Sequence, residues 1–166
     1  MENKNKIRKN IVVLVEPEIP YNTGNIARTC VVTNTELHLV KPLGFDISSK
    51  MVKRAGLDYW YDVDLTVWEN FEEFKQFLEE KAEDGYNIIY VETDAPRTIG
   101  ELKIDDACIL ILGKETKGLP KDFLKEHPER WYRIPMYSEY RSLNLSNSEA
   151  IVLYEVLRQQ GYPDMH

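Results

Sequence analysis

The segment Ile11-Val12-Val13-Leu14-Val15-Glu16-Pro17-Glu18-Ile19-Pro20-Tyr21-Asn22-Thr23-Gly24-Asn25-Ile26-Ala27-Arg28 decides the fold. It opens on an unbroken apolar, largely β-branched run, the pattern of a strand covered on both faces in a parallel sheet. Two prolines, an asparagine and a glycine then mark a long turn over 16–24, and a helix is expected from about Asn25 to Thr33. A strand, a loop and a helix in this order make the first unit of an α/β layer structure.

The rest of the chain continues with strands and helices in alternation. Leu37–Val40 reads as a second strand ended by Pro42 and Gly44, and a further strand is expected near Tyr61–Val67. Asn70 with Glu73 has capping-box spacing, and Phe71, Phe74 and Leu78 recur at helical spacing to about Glu83, an aromatic stripe read as core. Asn87–Val91 and Ala107–Leu112 are two more buried-strand runs, and Trp131–Ile134 is a last short strand stopped by Pro135. Ser146 and Glu149 form a second capping-box pattern, before a helix striped by Ala150, Leu153, Tyr154 and Leu157 and ended by Gly161 and Pro163. A mainly parallel sheet flanked by helices follows, with ligands expected beyond the carboxyl ends of the strands, in the loops after Val15, Val91, Leu112 and Ile134.

Composition bounds the function. A chain of 166 residues supports one hydrophobic core, so we expect a single domain over 11–162 with short tails at 1–10 and 163–166. No apolar run approaches the roughly 20 residues that span a bilayer, and a cytoplasmic, membrane-free protein is expected. Cys30 and Cys108 are distant in sequence, as are His38, His127 and His166, so neither a metal site nor a His-based triad is expected. A net charge of −7 argues against indiscriminate nucleic-acid binding and requires any RNA to be held by a local basic patch. The acidic excess in Glu69–Asp84 reads as the solvated face of one helix.

Gly113-Lys114-Glu115-Thr116-Lys117-Gly118-Leu119-Pro120 follows a buried strand and resembles a phosphate loop, but Leu119 and Pro120 stand where a P-loop needs Lys and Ser or Thr. What the two glycines permit is close backbone approach, so that main-chain groups can read a ligand of low charge such as an adenine ring. Asn22, Asn25 and Arg28, three residues apart, put amide and guanidinium donors near the end of the first strand, where a phosphate or ribose would suit them. Arg141-Ser142-Leu143-Asn144-Leu145-Ser146-Asn147 concentrates hydrogen-bonding side chains ahead of an apolar helix. A cap at Ser146 explains only one of them.

In this order the three segments resemble the three signature motifs of the SPOUT superfamily of RNA methyltransferases. Asn22–Arg28 matches the first, Leu112–Pro120 the second, and Ile134-Pro135-Met136 with Arg141–Asn147 the third. The resemblance runs from Ile11 to about Tyr162 and is closest to the small tRNA (cytidine/uridine) 2′-O-methyltransferases acting at the wobble nucleotide, to which Arg54-Ala55-Gly56-Leu57-Asp58-Tyr59-Trp60 also points. It implies a C-terminal deep trefoil knot, S-adenosylmethionine as cofactor, tRNA as partner, and a homodimer that completes each active site across its interface, with Tyr154 on the interface helix. It implicates Val91, Gly113, Glu115, Ile134, Met136, Ser142 and Leu143 in cofactor binding, and Arg28, Asn22, Asn144 and Ser142 in catalysis. Lys53, Arg54, Arg141 and the basic N-terminal residues would contact RNA.

By the same resemblance Arg28 is the general base or positions phosphate and 2′-oxygen. The base role is demanding, because a free guanidinium stays protonated to above about pH 12. Tyr21 and Lys117 depart from the family pattern without removing a proposed catalytic group. Three rival readings differ in kind: methylation of another tRNA or rRNA ribose, a non-catalytic RNA-binding homologue, and a flavodoxin-like small-molecule binder. The last leaves Arg141–Asn147 without a task.

Overall fold

The computed structural model of the protein describes residues 8–140 and 142–166. In chain order its elements are β1 (Ile11–Val15), α1 (Pro20–Val32), β2 (Glu36–Val40), α2 (Lys50–Gly56), β3 (Leu65–Trp68), α3 (Phe71–Glu83), β4 (Asn87–Val91), β5 (Arg97–Thr98), β6 (Cys108–Leu112), α4 (Lys121–Glu126), β7 (Trp131–Arg133) and α5 (Leu145–Gln159). The strands form one seven-stranded sheet in the order β3-β2-β1-β6-β4-β7-β5, and every pairing is parallel.

Strand alternation divides the core. Val12 and Leu14 of β1 face the side covered by α1 and α5, where they pack with Ile26, Cys30, Val152 and Val156. Ile11, Val13 and Val15 face the other side, with Phe74 and Leu78 of α3 and Phe123 of α4. Covering on both faces is why β1 and β6 read as continuous apolar runs in place of an alternating pattern. The aromatic stripe of α3 is core, as expected, and both cysteines are buried. Among the described residues, no helix is long and apolar enough to cross a membrane, and no group of three or more His, Cys, Asp or Glu is placed to hold a metal ion.

Several boundaries differ from expectation. α1 begins at Pro20, inside the supposed turn; its N-cap, Ile19, has no side-chain cap of its own. Proline at the first helical position loses no hydrogen bond, since that amide has no partner within a helix. The third strand is Leu65–Trp68, because Leu57–Asp62 is wound into a 3₁₀ turn. The cap of α5 is Asn144 and not Ser146: the Asn144 side chain accepts the Ser146 and Asn147 amides, and Glu149 is core. Of the expected N-terminal tail, Met1–Ile7 lie outside the described residues. Arg8 is paired with Asp106, Lys9 with Asp64, and the Asn10 amide joins Gln160 and the Cys108 N–H. At the other end Met165 packs against the core, so the expected tail at 163–166 is partly engaged.

Candidate active site

Sheet order changes direction at β1, whose neighbours are β2 on one side and β6 on the other. Beyond the carboxyl ends of β4 and β6 lies a cleft of about 710 Å³, lined by the loops after β1, β4, β6 and β7 and by the start of α5. Each of the expected cofactor residues, Val91, Gly113, Glu115, Ile134, Met136, Ser142 and Leu143, lines it, as do Asn22 and Asn144.

A chain of hydrogen bonds ties three of these loops together. Glu115 accepts the backbone amides of Glu18 (2.8 Å) and Ile19 (3.1 Å) and the Asn22 Nδ2 (3.2 Å). Its carboxylate thus holds, from a loop distant in sequence, the two amides that lead into α1, close to the helix N-terminus where negative charge is favourable. Asn144 Nδ2 donates to Asn22 Oδ1 at 3.0 Å, while Asn144 Oδ1 accepts the Ser146 amide at 2.9 Å. Glu18 answers the clasp by accepting the Thr116 amide and hydroxyl.

Backbone approach shapes the loop after β6. A Cβ on Gly113 would lie 2.0 Å from the Gly118 carbonyl carbon, so no side chain fits there. Gly118 has φ +68° and donates its N–H to the Lys114 carbonyl at 2.9 Å, closing a tight turn. These two glycines let the two ends of the loop close on each other at the edge of the cleft, which both residues line.

Arg28 does not line the cleft. It is exposed on α1, its guanidinium 5.1 Å from the centre of the Tyr59 ring. Lys53 and Arg54 sit in the last turn of α2, which packs closely on α1 where Gly24 would place a Cβ 2.5 Å from that of Ala55. Arg141 lies outside the described residues. Tyr154 is 42% exposed on the outer face of α5, beside Ile151. The sequence reading missed Glu92, whose carboxylate accepts the Leu119 amide at 2.6 Å within the cleft; it follows a strand without belonging to any motif.

Two buried polar groups stand apart from this network. Glu149 is fully buried, and neither of its carboxylate oxygens has a hydrogen-bond partner among the described residues; the Thr23 hydroxyl is likewise unpaired. Burial pushes the Glu149 pKa up to about 8. The Cys30 thiol is raised well above its ordinary value, first by burial and then by the charge of Glu149.

The chain matches the SpoU rRNA methylase family over residues 9–154. A Bacillus subtilis (strain 168) protein provisionally named as a tRNA (cytidine(34)-2′-O)-methyltransferase is 47% identical over 155 residues, 93% of this chain and 95% of its own. The tRNA (cytidine(34)-2′-O)-methyltransferase of Escherichia coli (strain K12) is 41% identical over 92% of this chain and 94% of its own length. A solved structure described as giving insights into the 2-OH methylation of C/U34 on tRNA superposes with TM-score 0.83 and 38% identity, covering 92% of this chain and 97% of that one. The chain belongs to the SpoU methylase family.

Proposed function

We propose that this protein transfers the methyl group of S-adenosylmethionine to a ribose 2′-hydroxyl of tRNA, at the wobble nucleotide, cytidine or uridine. The observation that carries the reading is the hydrogen-bonded chain Asn144–Asn22–Glu115, which draws the three motif segments around one cleft. The curated relatives named for this activity align over nearly the whole chain and support the nucleotide assigned.

The cleft fits the cofactor: its volume lies in the range of small-molecule sites, and it is lined by apolar Val91, Leu112, Ile134 and Leu143 together with the backbone of the loop after β6. When bound, S-adenosylmethionine supplies a methyl group on positively charged sulfur. The residues of this chain then have mainly to align and to remove a proton. Val91, Gly113, Ile134, Met136 and Leu143 hold the nucleoside, and Ser142 and Glu115 fix the loops around it. Asn22 and Asn144 face the ribose to be methylated. Lys53, Arg54 and Arg141 contact RNA phosphates, and Arg28 positions phosphate and 2′-oxygen.

Because Arg28 stands outside the cleft of its own chain, the protein acts as a homodimer in which each cleft receives the arginine of the second copy. Ile151 and Tyr154, apolar and exposed on α5, support this interface. The C-terminal part of the chain, 11–162 being one catalytic unit, is tied in a trefoil knot. In support, β7 enters between β4 and β5, and α5 then returns to the face covered by α1. The protein works in the cytoplasm, where its tRNA substrate is found.

Incubation with labelled S-adenosylmethionine and bulk tRNA, followed by mass-spectrometric mapping, tests the reading. Label on a wobble ribose is expected. Cofactor binding with no transfer to any RNA would overturn the enzymatic assignment.

A further inference from the structure

Glu92 follows directly on Val91, the last residue of β4, and its carboxylate spans to the loop after β6, where one oxygen, Oε1, accepts the Leu119 N–H at 2.6 Å. The loop is shaped to receive it. A Cβ on Gly118 would lie 2.7 and 2.9 Å from the two carboxylate oxygens, so the carboxylate of Glu92 occupies the space that a side chain at 118 would fill. Among the described residues no donor is directed at Oε2, and Glu92 is not among the sealed, unpaired groups, so this oxygen is open to the cleft. Burial pushes the Glu92 pKa above its ordinary value, against the Leu119 hydrogen bond, with the charge of Asp94 adding to the rise. A half-buried acceptor with one oxygen pinned and the other short of donors is completed by a neutral donor group.

We propose that Glu92 is a cofactor-binding residue whose Oε2 accepts a ribose hydroxyl of the nucleoside held in the cleft. The assignment rests on reading the cleft as the S-adenosylmethionine site. A carboxylate just beyond the carboxyl end of a parallel strand is well placed for a ribose hydroxyl, which offers a donor without a charge. Asp94, two residues on and exposed, is the freer carboxylate for a cationic group.

Calorimetric titration tests the assignment with three ligands: S-adenosylmethionine, 5′-methylthioadenosine, which keeps the ribose but has neither amino-acid chain nor positive sulfur, and the 2′,3′-dideoxy form of the latter. In Glu92→Gln the amide oxygen keeps the tie to Leu119 and turns an NH₂ toward the ribose. Both hydroxylated ligands should then weaken by about tenfold, the scale of a lost hydrogen bond to a charged group. Wild type should lose a similar or larger factor for the dideoxy ligand, and Glu92→Ala, which offers the hydroxyls neither a donor nor an acceptor, should not distinguish the two nucleosides. The dideoxy ligand reads the same contact on unaltered protein, whatever the stability of the variant. Weaker binding of S-adenosylmethionine with unchanged 5′-methylthioadenosine would place the carboxylate at the amino-acid end, and unchanged affinity for both would reduce Glu92 to a strap between loops; either overturns the proposal. Wild type that binds 5′-methylthioadenosine with the expected dependence on Glu92 but not S-adenosylmethionine would overturn the cofactor reading and leave the ribose contact standing.

Discussion

Asn144 spends both ends of its amide: Oδ1 caps α5 through the Ser146 and Asn147 amides, and Nδ2 donates to Asn22 Oδ1 at 3.0 Å. One side chain therefore both starts a helix and sets the orientation of a residue on another, and substitutions can separate the tasks. Asn144→Asp keeps the cap but replaces the donor by an oxygen facing Asn22, whereas Asn144→Ala loses both. The alanine variant should lose about 1 kcal/mol of stability as a lost cap, with the aspartate variant near wild type. Both should lose turnover, by at least about tenfold if the shared hydrogen bond is worth a typical 1.4 kcal/mol in the transition state. Thermal denaturation with single-turnover kinetics checks the pair; full activity in Asn144→Asp would show that the orientation of Asn22 is immaterial.

Gly113 allows no Cβ, since that atom would meet the Gly118 carbonyl carbon at 2.0 Å. Gly113→Ala must push apart the two ends of the loop after β6. The strand before it is anchored between β1 and β4, so the loop gives way first. We expect cofactor affinity to fall by more than about tenfold, a loss above 1.4 kcal/mol, while far-UV circular dichroism stays that of the wild type. Unaltered affinity by calorimetry would contradict the placement of the cofactor against this loop.

Glu149 makes stability depend on pH. Its folded-state pKa of about 8 exceeds the ordinary value of 4.5, so between these limits the folded protein holds a proton that the unfolded chain has lost. Stability must then fall as pH rises from about 4.5 through about 8 and level off above. The contribution has an upper limit of roughly 5 kcal/mol, reduced by whatever relaxation lets water reach the carboxylate. Glu149→Gln, which cannot ionise, should match wild type in acid and exceed it progressively toward alkaline pH in urea titrations. Parallel curves for the two proteins at all pH values would sink the argument.

The fold was legible in the sequence where periodicity and burial coincide. Ile11–Val15 and Asn87–Val91 occupy the strands expected of them, because a strand covered on both faces must be apolar throughout. The start of α1 was not legible, since Glu115 holds the Glu18 and Ile19 amides just before it, and local sequence cannot show a partner so far along the chain. The α5 cap was misassigned for a related reason. Ser146 and Glu149 have capping-box spacing, but Asn144 takes the amides first and the inward face of α5 carries Glu149 into the core. That the motif segments meet at one cleft was legible, and the presence of Glu92 there was not, because its partner amide comes from the loop after β6.

Lys53 and Arg54 lie in the last turn of α2, outside the residues that line the cleft. If they contact phosphates, Lys53→Ala with Arg54→Ala should weaken tRNA binding and leave cofactor binding unchanged. Each lost contact should lower the slope of log affinity against log salt by about 0.7 to 0.9. Filter binding across a salt series measures this; an unchanged slope would remove both residues from the RNA surface.

The position of Arg28 outside its own cleft makes a prediction about mixed dimers. Suppose each active site joins the cleft of one copy to Arg28 of the other. At cofactor concentrations too low to fill the Gly113→Ala cleft, Arg28→Ala and Gly113→Ala are then each inactive as homodimers, yet a heterodimer of the two contains one site with both parts intact, because a two-fold interface pairs each surface with its counterpart. Equal co-expression should restore about a quarter of wild-type activity, since random pairing makes about half of the dimers mixed and half of their sites whole. If Arg28 instead serves the cleft of its own chain, every site in the mixed dimer carries one lesion and no activity returns. Methyl transfer to tRNA by the tagged, purified heterodimer decides between the two arrangements.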